Sequence, residues 1–413
     1  MPLRFDEGAG VEESHRVSSA GPFAGLTVLD LTRVLSGPYC TMLLADMGAR
    51  VIKVEQPGRG DDTRAWGPPF VGSETAYFLS INRNKESVTL DFKAPEGRRI
   101  LDRLIARSDV LVENFRPGTL ERQGLDYASL APNHPRLVYC SISGFGQDGP
   151  RSGQPGYDAV IQAEGGLMSV TGDADGPGYR VGVAIADLVA GLLAAQGVAS
   201  ALFARERTGR GQQVDISMLD GVLSLLSYHA SIYLTTGVTS SRVGNRHATI
   251  APYETFSASD GELFLAVGND DQFARFCRVA GLQRLLADAR FATNPLRVTN
   301  AGALREHLVP VLAGRGREEW IEALTAAGVP CGGVRSVSEA LSDPQVVARR
   351  MIEAVEHATL GTLRVLGSPI KLSETPPRVR TAPPTLGQHT EQILNELDCG
   401  GAAIEDLRKR NVI

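Results

Sequence analysis

The sequence predicts an α/β protein with a large Rossmann-like domain, an open parallel sheet, and a smaller α+β domain. Three observations predict this fold class. Short apolar runs rich in strand-forming residues alternate with helical stretches through the first half of the chain. Beyond about residue 225 the pattern changes to hairpins and helices. The length of 413 residues exceeds what one hydrophobic core usually serves, so two domains are expected.

The first βαβ unit consists of a strand, a helix and a second strand, at residues 26–31, 39–47 and 50–55. Gly48 ends the helix. Ser36 is predicted to cap it, with Pro38 in its first turn, and the N–H groups of such a helix start can bind an anion. The connecting loop contains one glycine, whereas the dinucleotide-binding fingerprint needs three. The fold therefore does not imply a nicotinamide cofactor.

The alternation of strands and helices continues at residues 87–92, 95–108, 110–113, 137–142, 187–205 and 213–217. A hairpin follows at residues 253–256 and 262–267, then a helix at 318–327 and a second hairpin at 354–369. We predict a disordered leader over residues 1–20, a large Rossmann-like domain over 21–222 and a small α+β domain over 223–340. Residues 341–413 are expected to return to the large domain.

Composition limits the classes of function. A formal net charge of −5 argues against a general nucleic-acid binder. The five cysteines are scattered without metal-ligand spacing, so we expect free thiols in a reducing compartment and no metal site. The acidic first twenty residues resemble neither a secretion signal nor a transit peptide, so a cytoplasmic protein is expected. The longest apolar run, residues 184–204, is interrupted by Asp187 and Gln196, so no membrane span is expected.

Asp187 is the candidate catalytic residue. The sequence lacks the G-x-S-x-G elbow, the Walker loop and the H-E-x-x-H helix. A carboxylate can still form covalent intermediates as a nucleophile, and Asp187 lies in the distinctive segment 182–191. Aspartate before an apolar helical run is also a favoured N-cap, and the residues alone favour that structural role.

Several ordered motifs carry a family resemblance that extends over nearly the whole chain after residue 21. They are Leu29-Asp-Leu-Thr32, Ser36-Gly-Pro38, Ala49-Arg-Val-Ile-Lys-Val-Glu55, Asn82-Arg-Asn-Lys85, Glu113-Asn-Phe-Arg-Pro-Gly118, Ser143-Gly-Phe-Gly146, Gly156-Tyr-Asp158, Thr208-Gly-Arg-Gly-Gln212 and Pro383-Pro-Thr-Leu-Gly-Gln-His389. Together they resemble the class III CoA-transferase family (CaiB/BaiF type), which includes formyl-CoA transferase and α-methylacyl-CoA racemase. The segments at residues 60–70 and 250–253 resemble members that use succinyl-CoA and hydroxymethylglutarate.

The resemblance implies an interlaced homodimer in which Asp187 is the nucleophile. It implies CoA esters as substrates and no permanently bound cofactor. It also implies CoA contacts at Leu35, Ser36, Gln56, Leu90, Lys93, Asn114, Phe115, Arg116, Arg122, Gly156, Tyr157 and Asp158. Gln56 departs from the family pattern, because relatives carry arginine there. Lys93, Arg116 and Arg122 are candidate phosphate partners, with exposed surface charges as the alternative.

The expected activity is transfer of CoA from an acyl-CoA, such as succinyl-CoA, to a free dicarboxylic acid through aspartyl anhydride and aspartyl-CoA intermediates. The alternative is an α-methylacyl-CoA racemase, whose family pattern has histidine at the position of Tyr157 for proton transfer. Tyrosine is a poor base at neutral pH, which favours transfer. Gly244, Arg246 and His247 lie where transferases carry a mobile loop. They are candidate ligands for the distal carboxylate of the acid, or part of an exposed loop.

Overall fold

The computed structural model describes residues 21–413, so the predicted leader over residues 1–20 lies outside the described part. The strands are β1 (Thr27–Asp30), β2 (Arg50–Glu55), β3 (Phe70–Val71), β4 (Glu74–Thr75), β5 (Lys85–Thr89), β6 (Val110–Glu113), β7 (Val138–Ser143), β8 (Gln213–Ser217), β9 (Tyr253–Ala258), β10 (Gly261–Ala266), β11 (Cys331–Gly333), β12 (Ile352–His357) and β13 (Gly361–Leu366).

The α-helices are α1 (Ser36–Asp46), α2 (Ala76–Ile81), α3 (Pro95–Ala106), α4 (Tyr127–Leu130), α5 (Asp158–Glu164), α6 (Leu167–Val170), α7 (Ile185–Thr208), α8 (Met218–Leu225), α9 (Ser227–Thr236), α10 (Asp270–Val279), α11 (Asn294–Thr299), α12 (Ala301–Leu312), α13 (Arg317–Ala326), α14 (Val337–Ser342), α15 (Pro344–Ala348), α16 (Thr390–Glu396) and α17 (Gly401–Lys409). Short 3-10 helices lie at Asp62–Ala65, Glu121–Gln123, Gln283–Ala287 and Ala289–Phe291.

A six-stranded sheet in the order β5-β2-β1-β6-β7-β8 forms the centre of the large unit. Every neighbouring pair in it is parallel. One face packs against α3, α16 and α17, which share a core with Leu29, Leu111 and Tyr139. The other face carries α1, whose Thr41 hydroxyl donates to Asp30 Oδ2 over 2.6 Å. The predicted open parallel sheet, covered on both faces, is therefore confirmed.

The described chain divides into two compact units. The first comprises the described residues up to Pro155 together with Asp187–Ser217 and Arg350–Ile413, and the second comprises Gly156–Ala186 and Met218–Arg349. The sequence placed residues 156–186 in the large domain, whereas they group with the second unit. The physical reason is the close packing of α5 on α8, since a Cβ on Gly165 would lie 2.5 Å from Val222 Cγ1.

The second unit has its own core. The antiparallel sheet β11-β10-β9 packs with α10, α12 and α13 around the fully buried Trp320 and Phe276. Arg297 of α11 is also fully buried. Its guanidinium donates to Ala251 O over 2.8 Å and to Phe291 O over 3.1 Å, so it joins two loops to the helix.

Helix α7 packs through a stripe of small residues, Ala190, Ala194, Val198 and Ala201, which are at most 2% exposed. A Cβ on Gly197 would lie 2.7 Å from Val214 of β8, so the helix lies close to the sheet. By length and composition alone this helix could cross a membrane. The absence of a membrane span therefore stays a prediction. Core helices of proteins outside membranes meet the same criteria.

Candidate active site

A cavity of about 420 Å³ opens where β1, β2 and β5 end, and the loop after β6 closes its side. In open parallel sheets, ligands bind outside the carboxyl ends of the strands. Four of the predicted CoA contacts line this cavity, namely Gln56, Leu90, Lys93 and Phe115. The other lining residues include Thr32, Arg33, Lys53 and Asp61, which were not predicted as CoA contacts.

Aromatic rings and a guanidinium form one wall of this cavity. Phe115 packs edge to face on Phe92, with ring centroids 6.4 Å apart. The Arg33 guanidinium lies 5.4 Å from the Phe115 centroid. Asn114 holds Arg33 from both sides, because its Oδ1 accepts from Arg33 N over 2.9 Å and its Nδ2 donates to Arg33 O over 2.7 Å. Asn114 therefore positions a cation rather than lining the cavity itself.

Buried ion pairs form the floor of the cavity. Lys53 and Asp61 are fully buried and meet at 2.9 Å, while Lys53 Nζ also donates to Thr32 O over 2.9 Å. Burial alone would raise the pKa of Asp61, but the Lys53 charge and the Thr63 N–H bring that pKa below its ordinary value. These charges neutralise each other. The exposed cations at the rim, Arg33 and Lys93, are therefore better placed to meet a phosphate.

The start of α1 differs from the prediction that Ser36 caps the helix. Ser36 is the first helical residue, and the N-cap is Leu35, which makes no side-chain capping bond. Both residues are buried. An N-cap needs non-helical backbone angles, and Leu35 has them, with φ −130° and ψ −58°. Neither residue is among those lining the 420 Å³ cavity.

Asp187 is the third residue of α7 and lies in its first turn, so it is inside the helix rather than at its N-cap. Its side chain is partly exposed, not sealed in the interior. The positive end of a helix dipole favours negative charge at this position. The Asp187 carboxyl group is thus carried by the first turn of a long helix, on a residue that is partly exposed.

Gly191 brings the Asp187 face of α7 against the start of α1. A Cβ on Gly191 would lie 2.6 Å from Ser36 O and 3.0 Å from Tyr39 Cδ1, so a side chain there is excluded by backbone. Residues four apart share a helix face. Asp187 therefore lies one turn before this contact, on the side of the helix that faces α1.

On the expectation that Asp187 is the catalytic residue, Gly191→Ala should lower kcat/KM, because the new methyl group must push the first turns of α7 away from Ser36. A displacement of about 1 Å at a reacting group can cost on the order of a hundredfold in rate. Gly182→Ala is the matched control, since no atom lies within 4 Å of the Cβ it would add. Steady-state kinetics on both variants measures the effect, and equal loss in the two would contradict it.

Glu113, at the end of β6, is a buried carboxyl close to this wall. Its Oε2 accepts from Phe115 N over 2.8 Å, and Ser141 also donates to it. Burial raises the pKa of Glu113 to about 7, more than these two hydrogen bonds lower it, and the Asp215 charge adds to the rise. The side chain anchors the backbone of Phe115, which lines the cavity.

Glu113 is expected to make the folded protein less stable as pH rises. Its folded pKa lies above the ordinary 4.5. The stability provided by the neutral carboxyl is therefore complete below that ordinary value and is lost as pH rises through the folded pKa. Glu113→Gln should remove this loss of stability. The resulting gain in the free energy of unfolding is at most about 3 kcal/mol at about pH 8 and is small at about pH 5. Thermal unfolding at both pH values tests this, with the exposed Glu121→Gln as control, which should show no such difference.

The remaining predicted cations lie elsewhere. Arg116 is exposed and lines a separate cavity of about 200 Å³ with Glu113 and Tyr139. Arg122 is exposed in the 3-10 helix Glu121–Gln123. Neither lines the 420 Å³ cavity, although their neighbours Thr119 and Gln123 do. The resemblance therefore identified the segment 113–122 correctly, but it did not identify which side chains near that segment line the cavity.

Gly156, Tyr157 and Asp158 belong to the second unit. Tyr157 is 68% exposed and precedes α5 as its N-cap. Asp158 Oδ1 accepts from Ala186 N over 2.8 Å, and its Oδ2 accepts from Gln162 Nε2 over 2.7 Å. Asp158 therefore fixes the backbone of the residue that precedes Asp187. None of the three lines the 420 Å³ cavity.

Arg246 and His247 line a cavity of about 190 Å³ in the second unit. Thr249 N donates to His247 Nδ1 over 3.2 Å, so the neutral imidazole carries its proton on Nε2 and donates there. The ring stacks on Tyr228, with centroids 5.6 Å apart. Gly244 has φ +66°, a left-handed conformation that favours glycine, and is exposed in the same loop. The loop thus presents one cation and one neutral donor.

The fold and the cavity define a class, α/β proteins that bind a nucleotide-like ligand at the carboxyl edge of a parallel sheet. Residues 23–390 match the family model of CoA-transferase family III. The chain belongs to this family and is a CoA-transferase.

The chain is 43% identical over 400 residues to a protein of Mus musculus named succinyl-CoA:glutarate CoA-transferase, with 96% of this chain and 91% of that protein covered. It is 44% identical to acetyl-CoA:oxalate CoA-transferase of Acetobacter aceti, covering 86% of this chain and 90% of that protein. A CaiB/BaiF family protein from Brucella suis has a similar structure, with TM-score 0.83, 42% identity and coverage of 92% and 100%. These relatives do not favour the racemase alternative.

Within residues 21–413, no cluster of three or more His, Cys, Asp or Glu side chains is arranged to hold a metal.

Proposed function

We propose that this CoA-transferase moves CoA from succinyl-CoA to a free dicarboxylic acid, with Asp187 as the covalent nucleophile. The proposal rests on one observation above all, the partly exposed carboxylate of Asp187 in the first turn of α7, on the helix face that Gly191 holds against α1. The similarity to succinyl-CoA:glutarate CoA-transferase supports the choice of donor and acceptor.

The proposed reaction begins with attack of an Asp187 oxygen on the thioester carbonyl of succinyl-CoA. The C–S bond breaks, CoA leaves as thiolate, and a mixed aspartyl–succinyl anhydride remains. The thiolate then attacks the aspartyl carbonyl and releases succinate, which leaves an aspartyl-CoA thioester. The acceptor carboxylate attacks the carbonyl of this thioester, the C–S bond breaks, CoA leaves again as thiolate, and a second anhydride forms. Attack of the thiolate on the acceptor acyl carbon releases the new acyl-CoA and restores Asp187.

The proposed scheme gives Asp187 no partner base, because a carboxylate nucleophile attacks through an oxygen anion and has no proton to lose. A carboxylate is a weak nucleophile, so positioning must provide most of the acceleration. We assign the distant part of CoA to the 420 Å³ cavity. Arg33 and Lys93 are placed to bind its phosphates, and Phe115 is placed to contact an aromatic ring. Binding energy from remote parts of a substrate can hold the reacting carbon in place.

The second carboxylate of the acceptor is assigned to Arg246 and His247. A guanidinium and an Nε2–H donor together suit a carboxylate, which accepts on both oxygens. Glu254, which lines the same cavity, would oppose an anion, but it is paired with Arg305. This assignment favours a dicarboxylic over a monocarboxylic acceptor.

A covalent trapping experiment tests the nucleophile. Enzyme incubated with succinyl-CoA and quenched with hydroxylamine or borohydride should carry a modification on the peptide containing residue 187, as measured by mass spectrometry. Asp187→Ala should carry none. Asp271→Ala is the matched control, because Asp271 is also an aspartate in a first helical turn, and it is exposed on α10. A modified peptide elsewhere, unchanged by Asp187→Ala, would refute the assignment.

We also propose an interlaced homodimer. Large apolar side chains are exposed in both units, among them Phe203 at 62%, Leu234 at 80% and Val337 at 77%. Contiguous apolar surface that is exposed on a single chain commonly marks a protein interface. Light scattering on the purified protein should give twice the chain mass of 44.1 kDa. A mass of one chain at micromolar concentration would contradict the dimer.

A further inference from the structure

A second cavity, of about 570 Å³, lies in the first unit beside the hairpin of β12 and β13. It is well separated from the cavity assigned to CoA. Lys85, the first residue of β5, lines the 570 Å³ cavity, whereas Leu90, which follows the last residue of β5, lines the other. Five residue steps along the extended chain join these two positions, a distance on the order of 15 Å. The two cavities are therefore at opposite ends of one strand.

Two histidines in the lining have the same fixed tautomer. Thr359 N donates to His357 Nδ1 over 3.2 Å, and Ser87 N donates to His389 Nδ1 over 3.1 Å. Because a backbone N–H can only donate, each neutral imidazole must hold its proton on Nε2. Each ring can therefore donate one hydrogen bond from Nε2.

His357 is the more informative of the two. It is only 5% exposed, and its Nε2 is buried without a partner in the described part of the chain. A buried donor left without an acceptor is destabilising. His357 is thus a lining residue of the 570 Å³ cavity that has a hydrogen-bond donor to spare.

The other polar side chains of the lining also favour an acceptor-rich ligand. Gln388 uses its Oε1 to accept from Thr385 N over 3.0 Å, so its amide N–H groups remain to donate. Arg380 has donors only, and its Nη2 is held by Ala45 O at 2.7 Å. Glu356 is the acid in this lining, and its Oε1 accepts from Thr362.

We propose that this cavity is a second binding site, for a small carboxylic acid, that takes no part in CoA transfer. Two imidazole donors, an amide and the Arg380 guanidinium match the two oxygens of a carboxylate. The Lys85 ammonium is already paired with Asp30 at 3.1 Å, and a phosphate dianion would require more positive charge than remains. Cavities of about 300 to 1,000 Å³ hold small organic molecules, so the volume suits an acid of several carbons.

Nuclear magnetic resonance of protein labelled with ¹⁵N-histidine tests the site directly. Titration with succinate or acetate, without any CoA ester, should shift the Nε2 signals of His357 and His389 in a saturable manner. Inorganic phosphate should shift them weakly. His357→Phe should abolish the shift of His389, or weaken binding about tenfold or more. His357→Gln keeps an amide donor and should retain most of the binding, and it serves if the phenylalanine variant fails to fold.

Further variants separate this site from the transfer reaction. Glu356→Gln removes the opposing charge and should tighten succinate binding. Asp187→Ala should respond to succinate like the wild type at both histidines, and His357→Gln should keep the wild-type transfer rate. The proposal is overturned if neither histidine signal moves, if phosphate shifts them as strongly as succinate, or if His357→Phe binds succinate as tightly as the wild type.

Discussion

Asp187→Asn is expected to lower kcat for CoA transfer on the order of a thousandfold or more, with little change in the affinity for CoA. Asparagine has the shape of aspartate but no anionic oxygen, so it cannot form the anhydride. The residues that line the 420 Å³ cavity are unchanged by this substitution. The variant therefore separates binding of the substrate from chemistry.

Single-turnover kinetics and a CoA titration measure the two quantities. Asp271→Asn, on an exposed first turn of α10, is the control and should behave as the wild type. A wild-type kcat for Asp187→Asn would exclude covalent catalysis at this residue. A large loss of CoA affinity, with kcat retained at saturation, would instead give Asp187 a binding role.

Arg297→Leu is expected to destabilise the second unit by about 3 kcal/mol or more, because it leaves the carbonyls of Ala251 and Phe291 buried without their donor. The variant also loses the contact of the guanidinium with Phe273, whose ring centroid lies 4.4 Å away. Asp270 loses its partner at 2.7 Å but is half exposed, so water can solvate it.

Calorimetry should show this loss as a fall in the unfolding midpoint of the second unit, on the order of 6 to 12 °C. Arg290→Leu is the matched control, since Arg290 is an arginine of the same unit that pairs with Asp288 on the surface. Exposed pairs contribute about 1 kcal/mol or less. If both variants unfold at the same midpoint temperature, the buried hydrogen bonds of Arg297 stabilise the second unit no more than a surface ion pair does.

Local sequence patterns predicted the large sheet well. The predicted bounds of β2, β6 and β8 match the structure, and the parallel arrangement followed from the alternation with helices. Each of these strands contains valine together with leucine or isoleucine directly after a turn, so the signal is local. The family motifs likewise located Gln56, Leu90, Lys93 and Phe115, which meet at one cavity.

Features that depend on contacts between distant segments were not predictable in this way. Burial of Glu113 follows from its place between strands rather than from its neighbours in sequence. The contact of Gly191 with Ser36 joins residues far apart in the chain. Ser36 has the composition of a cap, but the backbone places Leu35 at that position. The grouping of residues 156–186 with the second unit depends on packing between α5 and α8.

The small-residue stripe of α7 affects how chains of this fold should be screened in genomes. Alanine raises average hydropathy as lipid-facing residues do, yet here it allows a helix to approach a sheet and another helix closely. Topology filters that count apolar residues would therefore select such a helix by its length and composition. Such filters do not weigh a carboxyl side chain within the first turn that is followed four positions later by a glycine packed on backbone.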